Sequence, residues 1–198
     1  QDTHWTPDAM QELARAIATH VKKKYPGVAA VDRLILDAKA PDGHDYGDLA
    51  LRLDQAGPGS AFAEESPVLL SFPRLENDPA SPMVLLGGDD IRLYDDPAFG
   101  FMPQDHAADK PLRAGFAQHL AVYLGKALDT YAPTAAASTA PRQAFAKRLD
   151  DEVRAKQLVI WLLPARDLVL PASAGVEWSG VEFNEARHPP ESITPEVR

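Results

Sequence analysis

The chain has 198 residues, 45% of them hydrophobic and 25% charged, with no cysteine and a formal net charge of −9. This is enough apolar chain for one self-sufficient core. The absence of cysteine excludes thiolate catalysis, cysteine-ligated metal and disulfides. The negative balance argues against a nucleic-acid partner, because binding phosphate needs Lys and Arg to displace counterions. No apolar run approaches the roughly 20 residues of a membrane-spanning helix, so no membrane insertion is expected. The first residue is Gln1 rather than Met, which leaves both a cytoplasmic protein and one exported after removal of a leader open.

In chain order, the first predicted element is a helix. Thr6 suits an N-cap, Pro7 the first helical position and Asp8 the first turn. Met10, Leu13, Ile17 and Val21 then form an apolar stripe. Lys22, Lys23 and Lys24 fall in the last turn, where the helix dipole favours cations. Strands are predicted over 31–38 and over 49–53, the second from the alternation of Leu49, Leu51 and Leu53 with Ala50 and Arg52. Further strands are expected at 67–72 (PVLLSF), 83–86 (MVLL) and 91–94 (IRLY), with Gly87-Gly88-Asp89-Asp90 as a hairpin turn between the last two.

A second long helix is predicted from Asp109 to about residue 131, with Leu112, Phe116, Leu120, Leu124, Leu128 and Tyr131 on one wide face. A small-residue linker (PTAAASTA) separates it from a more polar helix over 140–157, where Phe145, Leu149 and Val153 mark a narrow buried stripe. The run 158–163 (LVIWLL) does not alternate and reads as a central strand covered on both faces. Strands at 168–170 and 176–183 would complete the sheet. The expected organisation is one α+β domain over 1–183 and an extended polar tail over 184–198. Its sheet would be mainly antiparallel, with two or three helices packed mostly on one face.

Two acidic turns carry the candidate chemistry. Asp37, Asp42, His44, Asp45 and Asp48 crowd the first, and Asp89 and Asp90 occupy the second. Hard cations need several carboxylate oxygens held close together. The words Gly43-His44-Asp45-Tyr46-Gly47-Asp48 and Gly87-Gly88-Asp89-Asp90, with Asp37 at a strand end, resemble the palm-type nucleotidyl cyclases, the diguanylate cyclases above all. That resemblance implies magnesium held by Asp37, Asp48, Asp89 and Asp90, and a nucleotide triphosphate as substrate. The chain departs from the family in three ways. The interval from Asp37 to Gly43 is short, the aromatic-Lys element is missing, and an alternating run follows Asp48 where the family has a long helix. Asp and Gly are also what ordinary turns prefer.

The histidines are His4, His20, His44, His106, His119 and His188. His20 and His119 fall in predicted helices, at the surface or boundary. The segment from Glu76 to Asp109 holds eight acidic residues against one basic residue, Arg92. Such a one-sided stretch suits a basic protein partner. The leading expectation is therefore a non-catalytic binding or assembly protein of the inhibitor, immunity or structural-subunit kind. It would need no cofactor and would bind its partner through Asp89, Asp90, Asp95, Asp96 and Asp105. The alternative is the magnesium-dependent nucleotide enzyme.

Overall fold

The computed structural model describes residues 5–28, 50, 53–54, 57–61, 69–72, 75–96, 111–133, 140–148 and 150–164. The predicted strands at 31–38, 168–170 and 176–183 and the polar tail lie outside these residues.

Helix α1 spans Pro7–Lys24, with Pro7 at its start and Tyr25 as C-cap. The Thr6 hydroxyl accepts from the backbone N–H of Ala9 at 3.3 Å, meeting one orphan donor of the first turn. The buried stripe is Met10, Ala14, Ala18 and Val21, and Leu13 is 36% exposed. It keeps Met10 and Val21 of the predicted stripe but runs through Ala14 and Ala18 in place of Leu13 and Ile17. The two alanines explain this. Without long side chains they let the helix lie close to its neighbour, so the small residues form the contact.

The described sheet has three strands: β1 (Met83–Leu86), β2 (Asp129–Tyr131) and β3 (Leu158–Trp161), in the order β2-β1-β3. All pairing is parallel: Leu85 lies opposite Thr130 on one side and Ile160 on the other. This overturns the mainly antiparallel sheet. The sequence pattern misled in two places. MVLL is buried at every position, the signature of a parallel strand covered on both faces. The longer LVIWLL run lies at the edge of the described strands, with Val159 48% exposed. The hydrophobic run that mattered was the shorter one.

The helices differ from expectation in the same region. Gly87-Gly88 does not turn a hairpin. It leads β1 into a short helix α2 (Asp89–Arg92), so IRLY is not a strand. Of the strand expected over 49–53, Ala50 is helical and Leu53 lies in a turn, and the other positions lie outside the described residues. The long second helix contracts to α3 (Phe116–Leu124), closed by Gly125 in the left-handed conformation at φ 81°. Leu128 and Tyr131 continue the helical period only by coincidence, since the chain is by then entering β2. The third helix divides into α4 (Ala140–Ala146) and α5 (Asp150–Arg154).

Helices α1 and α3 pack on each other, and Met83 and Leu85 of β1 join the same apolar cluster with Met10, Leu69, Phe116, Leu120 and Leu124. Val84 and Leu86 point to the opposite face and are also buried. The outer edge of β2 is covered by residues 75–78. Asp78 donates its N–H to the Leu128 carbonyl at 2.9 Å, and the Asn77 side-chain oxygen accepts from the Thr130 N–H. Such cover removes a bare edge that would otherwise template further strands.

The candidate site at the exit of the central strand

Because β2 and β3 flank β1, the connection from β1 runs to one side and the connection from β2 crosses back to the other. In open parallel sheets the crevice at such a reversal, at the carboxyl ends of the strands, is where ligands bind. Here that end of β1 carries Gly87-Gly88-Asp89-Asp90. Gly87 donates to the Tyr131 carbonyl at 3.0 Å, and Leu162 donates to the Leu86 carbonyl at 2.8 Å. The turn is therefore held between its two neighbours. Gly87 is needed for close approach, because a Cβ there would fall 2.1 Å from Cδ1 of Ile91. Asp89 and Asp90 form the first turn of α2 and are half-buried.

The segment after α2 is fixed by two ties. The Tyr94 hydroxyl donates to the Trp5 carbonyl at 3.0 Å, and the Trp5 ring stacks on Phe116 with centroids 5.3 Å apart. Tyr94 itself adopts a left-handed backbone at φ 64°, a conformation that costs a non-glycine residue about 1 kcal/mol or more. Asp95 Oδ1 accepts from the Arg113 N–H at 2.9 Å, and the Asp95 carbonyl accepts from Leu112 at 2.8 Å. Burial pushes the Asp95 carboxyl above its usual range, against the pull of the Arg113 hydrogen bond. Asp96 pairs with Arg92 one turn earlier.

The sequence-selected acids are thus distributed unevenly. Asp89 and Asp90 stand together at the strand exit, whereas Asp95 and Asp96 are engaged by Arg113 and Arg92. Asp37, Asp48 and Asp105 lie outside the described residues. Among the described residues no group of three or more His, Asp or Glu is placed to hold a metal ion.

Two ionisable features escaped the sequence reading. His119 is not at a surface or boundary. It is 1% exposed and sits edge-on to Phe72, with ring centroids 5.2 Å apart. Burial lowers its pKa to about 4, opposed by backbone hydrogen bonds at Leu70 and Ala114. The second is a buried ion cluster at the start of β2. Asp129 is paired with Lys156 at 2.7 Å and with Arg148 at 3.1 Å. Lys156 Nζ also donates to the carbonyls of Pro79 and Ser81. Nothing in a single sequence pairs residues so far apart, but a Lys–Asp pair converging at the base of a sheet is what burial of either charge requires.

The strands and their order define a domain of helices around a three-stranded parallel sheet, with the glycine turn at the exit of β1. Comparison with solved structures agrees with that class. The chain is similar to the O-acetyltransferase domain of Pseudomonas putida AlgJ, with a TM-score of 0.56 and 18% identity over 89% of this chain. It is also similar to Pseudomonas aeruginosa AlgX, with a TM-score of 0.52 and 17% identity over 81% of this chain. At such identities the likeness is one of fold. This chain spans 56% of the AlgJ structure and 33% of the AlgX structure. No known protein family matches the sequence, and no curated protein does.

Proposed function

We propose that this chain is an acyl-transfer domain, moving an acetyl-sized group to or from a hydroxyl at the exit of β1. The observation that carries the reading is the fold likeness to an O-acetyltransferase domain over 89% of the chain. The position of Gly87-Gly88-Asp89-Asp90, where parallel sheets gather their ligands, agrees with it. Acyl transfer requires a group that takes the proton from the attacking hydroxyl. Asp89 and Asp90 supply carboxylates at the right end of the strand.

A histidine is the usual second participant. His119 is enclosed in the core, and His20 points to solvent from α1. His4, His44, His106 and His188 lie outside the described residues.

A second reading has its own support. Among the described residues the turn from Gly87 to Asp90 holds no hydroxyl or thiol to form an acyl-enzyme. That favours the non-catalytic alternative, in which the same fold binds a basic protein through its acidic residues. Release of nitrophenolate from p-nitrophenyl acetate, with acetylation of an added polyol followed by mass spectrometry, separates the two. Acyl transfer predicts turnover that falls at least about a hundredfold in Asp89→Asn or in Asp90→Asn, the scale of lost acid–base catalysis. Turnover no faster than solvent, or turnover unchanged in Asp89→Asn and Asp90→Asn alike, would rule out the catalytic reading.

A further inference from the structure

Beside the covered edge of β2 lies a cavity of about 260 Å³, between α2, α3 and residues 75–77. Asp89 and Asp90 do not line it, and Ile91 stands between it and Gly87 at the strand exit. Its floor is apolar, with Ile91, Ala117, Ala121 and Leu128. Its wall holds two carboxylates, Glu76 and Asp95, and two guanidiniums, Arg92 and Arg113. Their formal charges cancel.

These four groups are unequally engaged. Arg92 is paired with Asp96. Asp95 Oδ1 accepts from the Arg113 N–H at 2.9 Å, and no described donor meets its second oxygen. The Arg113 guanidinium reaches Glu76 only at 3.8 Å, beyond hydrogen-bond length. The Glu76 side chain is 77% exposed, so it is free to shift. Arg113 is anchored instead. Its backbone is left-handed at φ 61°, and its carbonyl accepts from Phe72 at 2.8 Å. The other polar groups are spent: Asn77 Oδ1 accepts from the Thr130 N–H, and Gln118 Oε1 is enclosed and faces no open space.

This wall selects against charge. An anion would meet the two carboxylates, and a cation the two guanidiniums. A hydroxyl donates and accepts at once, and so suits both kinds of group. We propose that the cavity binds an uncharged polyhydroxylated ring, a single sugar or cyclitol. One hydroxyl bridges the gap between Arg113 and Glu76, accepting from the first and donating to the second. Another donates to Asp95, and the C–H face of the ring lies on the apolar floor. Pockets for drug-sized ligands begin at about 300 Å³, so this smaller space suits one ring rather than a chain.

The assignment is independent of acyl transfer and is tested by binding alone, with the whole chain. D-Glucose and myo-inositol are the neutral probes. D-Glucuronate, and D-glucosamine at about pH 6 where its amine is charged, present the same ring with one charge added. Calorimetry and ¹H–¹⁵N shifts are read on the wild type and on two variants. Asn accepts a left-handed backbone better than Arg does, so Arg113→Asn removes the guanidinium and keeps the fold. Ala117→Leu fills the floor from a half-buried position on α3. Saturable binding of a neutral probe is expected, weaker by about tenfold or more for both charged rings and in each variant. The assignment is overturned if neither neutral probe binds saturably at millimolar concentration. It is overturned equally if a charged ring binds as tightly, or if binding is unchanged in both variants.

Discussion

Acidification should weaken this protein through His119. In the unfolded chain a histidine titrates near 6.5, and in the fold burial holds it to about 4. Above pH 6.5 the ring is neutral in both states and contributes no pH dependence. Between 6.5 and 4 the unfolded chain takes up a proton that the folded chain refuses, so stability falls as pH falls. The full interval is worth about 3 kcal/mol, of which about 2 kcal/mol is lost by pH 5. The assay is urea unfolding, followed by tryptophan fluorescence, from about pH 7.5 down to about pH 5. His119→Gln fills a similar volume and does not titrate. The quantity of interest is the difference in pH slope between wild type and variant, which cancels the remaining ionisable groups. A wild-type slope steeper by roughly 2 kcal/mol over that range supports a buried neutral ring. Parallel slopes would show that His119 protonates in the folded state and that its enclosure has been misjudged.

Two other substitutions probe the packing. Lys156→Met takes the closer of two cations from Asp129, the Ser81 carbonyl's Lys156 donor, and from the Pro79 carbonyl all but a 3.4 Å contact with Arg148. Chemical denaturation should register a loss of about 3–5 kcal/mol, and the double variant with Asp129→Leu should be more stable than Lys156→Met alone. Gly115→Ala places a Cβ 2.8 Å from the Ile91 carbonyl oxygen and 3.1 Å from that of Leu93. Because both are backbone atoms, a cost of about 1–3 kcal/mol is expected. Gly27→Ala, with nothing within 4 Å, should change the melting temperature little.

Local signals in the sequence proved dependable where one residue type has one use. Thr6-Pro7 opens α1 as expected, MVLL is a strand, and the lysines close the helix. Direction was not legible. A glycine pair between two apolar runs suits a hairpin as well as a strand-to-helix turn, and only the placement of Tyr131 beside Gly87 selects the second. Apolar periodicity likewise ran through Gly125 without marking the end of α3. The candidate site was half legible. Asp89 and Asp90 stand out by composition, but their place at the exit of a central strand follows from tertiary pairing. Arg113 and His119 gave no signal, because their roles depend on what encloses them.

The account rests on three strands running the same way, with β1 in the middle. That arrangement puts Gly87-Gly88-Asp89-Asp90 at the carboxyl end of the sheet. Interstrand nuclear Overhauser contacts test it directly. Parallel pairing predicts backbone contacts from Leu85 to the neighbourhoods of both Thr130 and Ile160, without the short Hα–Hα contacts of antiparallel neighbours. Strong Hα–Hα contacts between β1 and either partner, or contacts from Leu85 to only one of them, would contradict it.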